Sequence, residues 1–122
     1  MRRAIFVVLA AGFVVGLSQS PARAVKPFLI EFKEKYTNPE GSAEDKAFAS
    51  LVEKVQCNVC HMGNSKKMRN DYGKALNKFV KKEDQKDKEK IKEALGKAAE
   101  EKSPAGKTFG ELIKEHKLPG GE

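Results

Sequence analysis

The sequence predicts a small all-α domain, a bundle of about four short helices, and three observations carry that expectation. Apolar residues recur at three- and four-residue intervals in four separate stretches, and no stretch alternates polar with apolar like a half-buried strand. Cap-forming residues stand just ahead of these stretches, and Pro and Gly break the pattern between and after them. The chain is also short, with 122 residues of which 39% are hydrophobic and 34% charged. That length excludes a TIM barrel, a doubly wound sheet or a multidomain enzyme.

Residues 1–24 are expected to be a secretory signal peptide. Arg2 and Arg3 precede an unbroken apolar run over residues 4–17, and Ala22-Arg23-Ala24 supplies an A-x-A cleavage site. The run is short of the ~20 apolar residues of a membrane helix, so no stable span is expected after cleavage; a retained N-terminal anchor is the alternative. Either way the folded part is exported, to a periplasm or an equivalent compartment. Cleavage leaves 98 residues and, with three arginines gone, a formal charge of +4 in place of +7.

Residues 25–41 make an N-terminal segment, in which 27–36 form a short helix through Phe28, Leu29 and Phe32 before the turn Asn38-Pro39-Glu40-Gly41. The main domain spans 42–122. Its first helix opens at Ser42, with Asp45 three residues on as a capping-box analogue, and repeats Phe48, Leu51, Val52 and Val55 on one face. A second follows Asn70, with Tyr72, Leu76, Phe79 and Val80 inward. A third starts near Asp84 and places Ile91, Ala94, Leu95, Ala98 and Ala99 at helical spacing, with Lys and Glu outside. The Ser103-Pro104-Ala105-Gly106 cluster is a loop. Thr108 then caps a fourth helix, completes a T-x-x-E box with Glu111, and puts Phe109, Leu112, Ile113 and His116 on one face up to Pro119-Gly120-Gly121. These faces are thin, so a crosslink, a partner or a large apolar cofactor is expected to complete the core.

The chain's only cysteines lie in Cys57-Asn58-Val59-Cys60-His61, at the end of the Ser42 helix. This C-x-x-C-H pentapeptide is the attachment signature of c-type haem. Two thiols about one turn apart can add to the two vinyl groups on one side of a porphyrin, and the adjacent imidazole then ligates the iron. Random arrangement of this composition yields the pentapeptide only about once in 4,000, so coincidence is a poor account of it.

On these residues the chain resembles the small monohaem c-type cytochromes of the class I kind. The specific likeness covers Cys57 to His61; the helix before it, the charged helical middle and the C-terminal helix add to it, and Arg69-Asn70-Asp71-Tyr72-Gly73 resembles a stretch of exported bacterial haem proteins. The resemblance implies a cytochrome c-like bundle wrapped around one covalent haem, thioether bonds at Cys57 and Cys60, and axial ligation by His61. It also implies a sixth ligand, which in this class usually comes from a downstream Met. No Met follows residue 68, and Met62 adjoins His61 too closely to reach the opposite face of the ring. Two candidates remain, Met68, which is otherwise a packing residue, and His116, which is otherwise a histidine favoured by a helix C-terminus.

Charge points to a partner. Residues 66–82 hold seven cations against Asp71 alone, a net +6, whereas residues 31–56 carry −2. Such a local excess is no nucleic-acid signature. Beside a haem motif it suits docking of an acidic redox protein near Lys66, Lys67 and Lys74, the plainer account being a solvated surface. The expected function is therefore a one-electron carrier rather than an enzyme. Its rivals are a haem protein with an open sixth position that meets a small gas or peroxide, and a haem-free thiol redox or zinc protein built on the same cysteines.

Overall fold

The computed structural model describes residues 27–121. Among them are five α-helices, α1 (Pro27–Tyr36), α2 (Ala43–Val55), α3 (Asp71–Phe79), α4 (Lys88–Glu100) and α5 (Phe109–Lys114), and an antiparallel pair, β1 (His61–Met62) and β2 (Ser65–Arg69). None of these helices is long and apolar enough to cross a membrane. The expected signal peptide lies outside the described residues.

Local chemistry starts the helices where the sequence places caps. Ser42 Oγ accepts from the Asp45 amide at 3.1 Å while Asp45 Oδ2 accepts from the Ser42 amide at 2.9 Å, closing the box at the start of α2. Thr108 and Glu111 do the same for α5, at 3.1 and 2.7 Å. Asn70 Oδ1 accepts the Gly73 amide at 2.9 Å and so opens α3.

Helix α4 is the centre of the fold, packed against α1, α3 and α5. Its face of Ile91, Ala94, Leu95 and Ala98 is wholly buried, and the two alanines let neighbours approach closely. Beside it Tyr72 stands between Phe32 of α1 and Phe109 of α5, with ring centroids 5.9 and 5.4 Å away in edge-on contact. Phe32 thus ties the N-terminal segment into the same core as the main domain. The Tyr72 hydroxyl is buried with no hydrogen-bond partner. Removing a hydroxyl in that position relieves its desolvation cost while keeping the ring, so Tyr72→Phe should raise unfolding stability by about 1 kcal/mol. Equal or lower stability in urea denaturation would show that the hydroxyl is satisfied.

Three expectations need correction. Asp84 does not begin α4; it anchors a 3-10 turn over Lys82–Lys86, and Asp87 caps the helix by accepting the Lys90 amide at 3.0 Å. Helix α5 stops at Lys114, because Glu115 leaves the helical path and His116 takes a left-handed φ of 57°, so His116 does not lie on the helix face of Phe109 and Ile113. The expectation of no strand fails over residues 61–69. There Met62 pairs with Ser65 across Gly63-Asn64, Gly63 has φ 57°, and such a two-residue loop favours glycine at a left-handed position.

Candidate functional site

The cysteine motif sits where α2 ends abruptly. Gln56 has φ 46°, a conformation costly for a side-chain-bearing residue, and this reverses the chain into a 3-10 turn over Gln56–Val59. The Cys60 amide donates to the Cys57 carbonyl at 3.2 Å, which draws the two cysteines together. Both are half-buried and unbridged. Burial, with Cys57 alongside, pushes the Cys60 thiol up to about 12, against a smaller lowering by Arg69. So held, Cys60 stays a neutral thiol at ordinary pH.

Asn70 fastens this turn to α3. Its Nδ2 donates to the carbonyls of Asn58 (3.1 Å) and Val59 (3.0 Å), and its backbone amide donates to the Cys60 carbonyl at 3.0 Å. Gly73 allows the approach, since a Cβ there would lie 2.0 Å from the Cys60 carbonyl oxygen. The Asn70-Asp71-Tyr72-Gly73 stretch therefore holds the motif by its middle and its end.

His61 follows on β1, opposite Arg69 of β2. Its Nδ1 lies 3.3 Å from the Met68 carbonyl oxygen. A carbonyl can only accept, so this contact is a hydrogen bond in the tautomer that carries its proton on Nδ1, the form whose Nε2 lone pair is open to a metal. Cys57, Cys60 and His61 line one cavity of about 170 Å³, with Phe28, Leu29, Phe32 and Val59 as apolar walls. Phe28, Cys60, His61 and Lys66 also border a second cavity of about 350 Å³, walled by Leu76 and Val80 and edged by Arg69, Lys81 and Lys82. Together they offer two thiols, one imidazole, apolar walls and a cationic rim. That donor set fits an apolar, planar iron tetrapyrrole bearing carboxylates. Among the described residues no cluster of three or more His, Cys, Asp or Glu side chains is arranged to hold a bare metal ion.

The candidate sixth ligands stand elsewhere. Met68 is 57% exposed and borders neither cavity, its carbonyl rather than its thioether meeting His61. His116 borders a separate cavity of about 560 Å³ with Leu51, Leu112 and Leu118. Its Nε2 lies 2.9 Å from Asp45 Oδ1, and its ring packs edge-on to Phe48 at 5.9 Å. Of the docking cations, Lys66 and Lys67 are exposed and free of ion pairs among the described residues, whereas Lys74 faces Asp71 at 3.5 Å. Sequence reasoning passed over Phe28 as a cavity wall, Gly73 as the point of closest approach, and Asn70 as anything beyond a helix cap. No family model, curated protein or solved structure matches the chain.

Proposed function

We propose that the protein is an exported monohaem carrier that passes single electrons, with haem c bound through Cys57 and Cys60 and its iron ligated by His61. The observation that carries this reading is the convergence of both thiols and the imidazole on one apolar cavity, with the Met68 carbonyl facing His61 Nδ1. Each thiol would add its sulfur and its hydrogen across one vinyl group, so nothing leaves and the product is the sum of chain and haem. The bound group supplies a ferrous–ferric iron couple. The chain's residues shield that couple from water through Phe28, Leu29, Leu76 and Val80, and fix the imidazole through the Met68 carbonyl.

A second reading has its own support, because neither Met68 nor His116 borders the cavities that hold His61. An open sixth position would bind a small gas or peroxide. One preparation separates the readings. The protein exported from cells with haem-attachment machinery should exceed its processed mass by one haem, and the colour should survive denaturation and acid-acetone extraction. A carrier then exchanges electrons rapidly with small redox agents and ignores carbon monoxide when reduced. Fast carbon monoxide binding with peroxide turnover favours the ligand-binding protein, and a colourless chain of bare mass rejects both.

A further inference from the structure

The cations around the site come from two different segments, Lys66 and Arg69 from β2 and Lys81 and Lys82 from the chain after α3. Helix α3 begins against the cysteine motif, since Gly73 meets the Cys60 carbonyl, and its residues Gly73, Leu76 and Asn77, with Val80 just after it, line the larger cavity. At 1.5 Å per residue the helical path from Gly73 to Phe79 is about 9 Å, and the extended residues Val80 and Lys81 carry the chain beyond it. Lys81 and Lys82 follow the C-terminal end of the helix and border the same cavity. Lys66 and Arg69 stand at the near end on β2, where Arg69 pairs with His61. In haem the two vinyl groups and the two propionates occupy opposite halves of the ring, so bonds to Cys57 and Cys60 turn the propionates away from the cysteines.

Resting on the haem reading above, we propose that α3 is the ruler of the site: Lys81 and Lys82 hold the two propionate carboxylates at its C-terminal end, while Lys66 and Arg69 flank the thioether edge and stay free for partners. Lys81 is already positioned for this, its ammonium donating to the Asn77 carbonyl at the end of α3. Lys82 is exposed and free of ion pairs among the described residues. The acids beside them do not compete equally. Asp84 is engaged by the Lys81 amide at 2.8 Å and by Lys90 at 2.6 Å, which leaves exposed Glu83 as the nearest rival in the turn. The larger cavity takes only Phe28, an uncharged residue, from α1.

The test uses the holoprotein, with the propionate titration read from the pH dependence of the midpoint potential and from the propionate methylene resonances of the oxidised form. In Lys81→Gln/Lys82→Gln the mass should still include one haem. The propionate inflection should move up by about one pH unit or more, because an opposite charge within a few ångströms lowers a carboxyl by at least that much. The midpoint potential at neutral pH should fall, since removing cations favours ferric iron. Lys66→Gln and Arg69→Gln should leave the inflection in place. An inflection moved by the second pair and not by the first overturns the proposal. If the glutamine pair does not load haem, Lys81→Arg/Lys82→Arg decides: normal loading with an unmoved inflection supports the proposal, and failed loading overturns it. A wild-type protein without covalent haem overturns the functional reading, and this inference with it.

Discussion

Gly73→Ala should lower unfolding stability by about 3 kcal/mol, the upper range for forcing a methyl group into a packed position, and should sharply reduce the fraction of exported protein that carries haem. The added Cβ would stand 2.0 Å from the Cys60 carbonyl oxygen and 2.9 Å from its carbon, with the Arg69 Cβ at 3.2 Å. Backbone atoms cannot swing aside as a flexible side chain can. Either α3 or the cysteine turn must shift, and the turn is held to α3 by the Asn70 bonds to the Asn58, Val59 and Cys60 carbonyls. Displacing it moves Cys60 and His61 relative to the walls formed by Leu76 and Val80. Gly96 supplies the control, because a Cβ there meets nothing within 4 Å and the residue lies inside α4. Gly96→Ala should stabilise by about 0.5–1 kcal/mol through helix propensity alone. The check is a pair of urea midpoints together with the loaded fraction by intact mass. A Gly73→Ala protein with wild-type stability and full loading would mean that the turn is not pinned against α3.

The sequence revealed most of the helices because their cues are local. Ser42 with Asp45, Asn70, and Thr108 with Glu111 act within one turn of chain, and each stands in the structure as its spacing predicts. The start of α4 was misjudged for a related reason. Asp84 and Asp87 are both acidic residues ahead of the same apolar face, and the structure gives the first to a 3-10 turn and the second to the helix. Periodicity also read His116 as part of a helix face. It falls three residues after Ile113, yet its φ of 57° and its bond to Asp45 carry it out of that helix and onto α2. No pattern confined to one segment reports a contact 71 residues distant. The hairpin had a cue in Gly63-Asn64, a favoured two-residue loop, but β1 is only two residues long and too short to show alternation.

The candidate site divides in the same way. Cys57, Cys60 and His61 stood out as candidates because the C-x-x-C-H spacing is confined to five residues. Their surroundings did not, since Phe28, Leu76, Val80 and Lys82 come from three other segments and meet only when α1 and α3 close around the motif. The neighbour of His61 was equally out of reach, as it depends on a β-turn bringing the Met68 carbonyl to Nδ1. What the structure adds is therefore not the identity of the reactive groups but the reason they stay where they are.

Reversing Lys66, Lys67 and Arg69 to Glu should slow oxidation of the reduced holoprotein by an anionic agent such as ferricyanide about 10-fold or more at low ionic strength, the low end of what steering by a charged surface supplies. The three side chains are exposed on β2, beside the edge of the site where the cysteines lie, and none is in an ion pair among the described residues. Their field is therefore available to an approaching anion or to the acidic face of a partner. Lys74 contributes less, its charge offset by Asp71. In the wild type the rate with ferricyanide should fall as salt rises, because exposed charges are screened beyond roughly 8 Å at physiological ionic strength. A cationic agent such as hexaammineruthenium should show the opposite dependence and react faster with the reversed variant. At about 1 M salt, where screening extends to ~3 Å, the two proteins should converge, and their visible spectra should coincide throughout. The same variant should lose its rate with an acidic protein partner in the association step, since rim charges act on encounter more than on dissociation. Rates that ignore both salt and the sign of the probe would remove steering from this surface and leave residues 66–69 as a solvated hairpin strand.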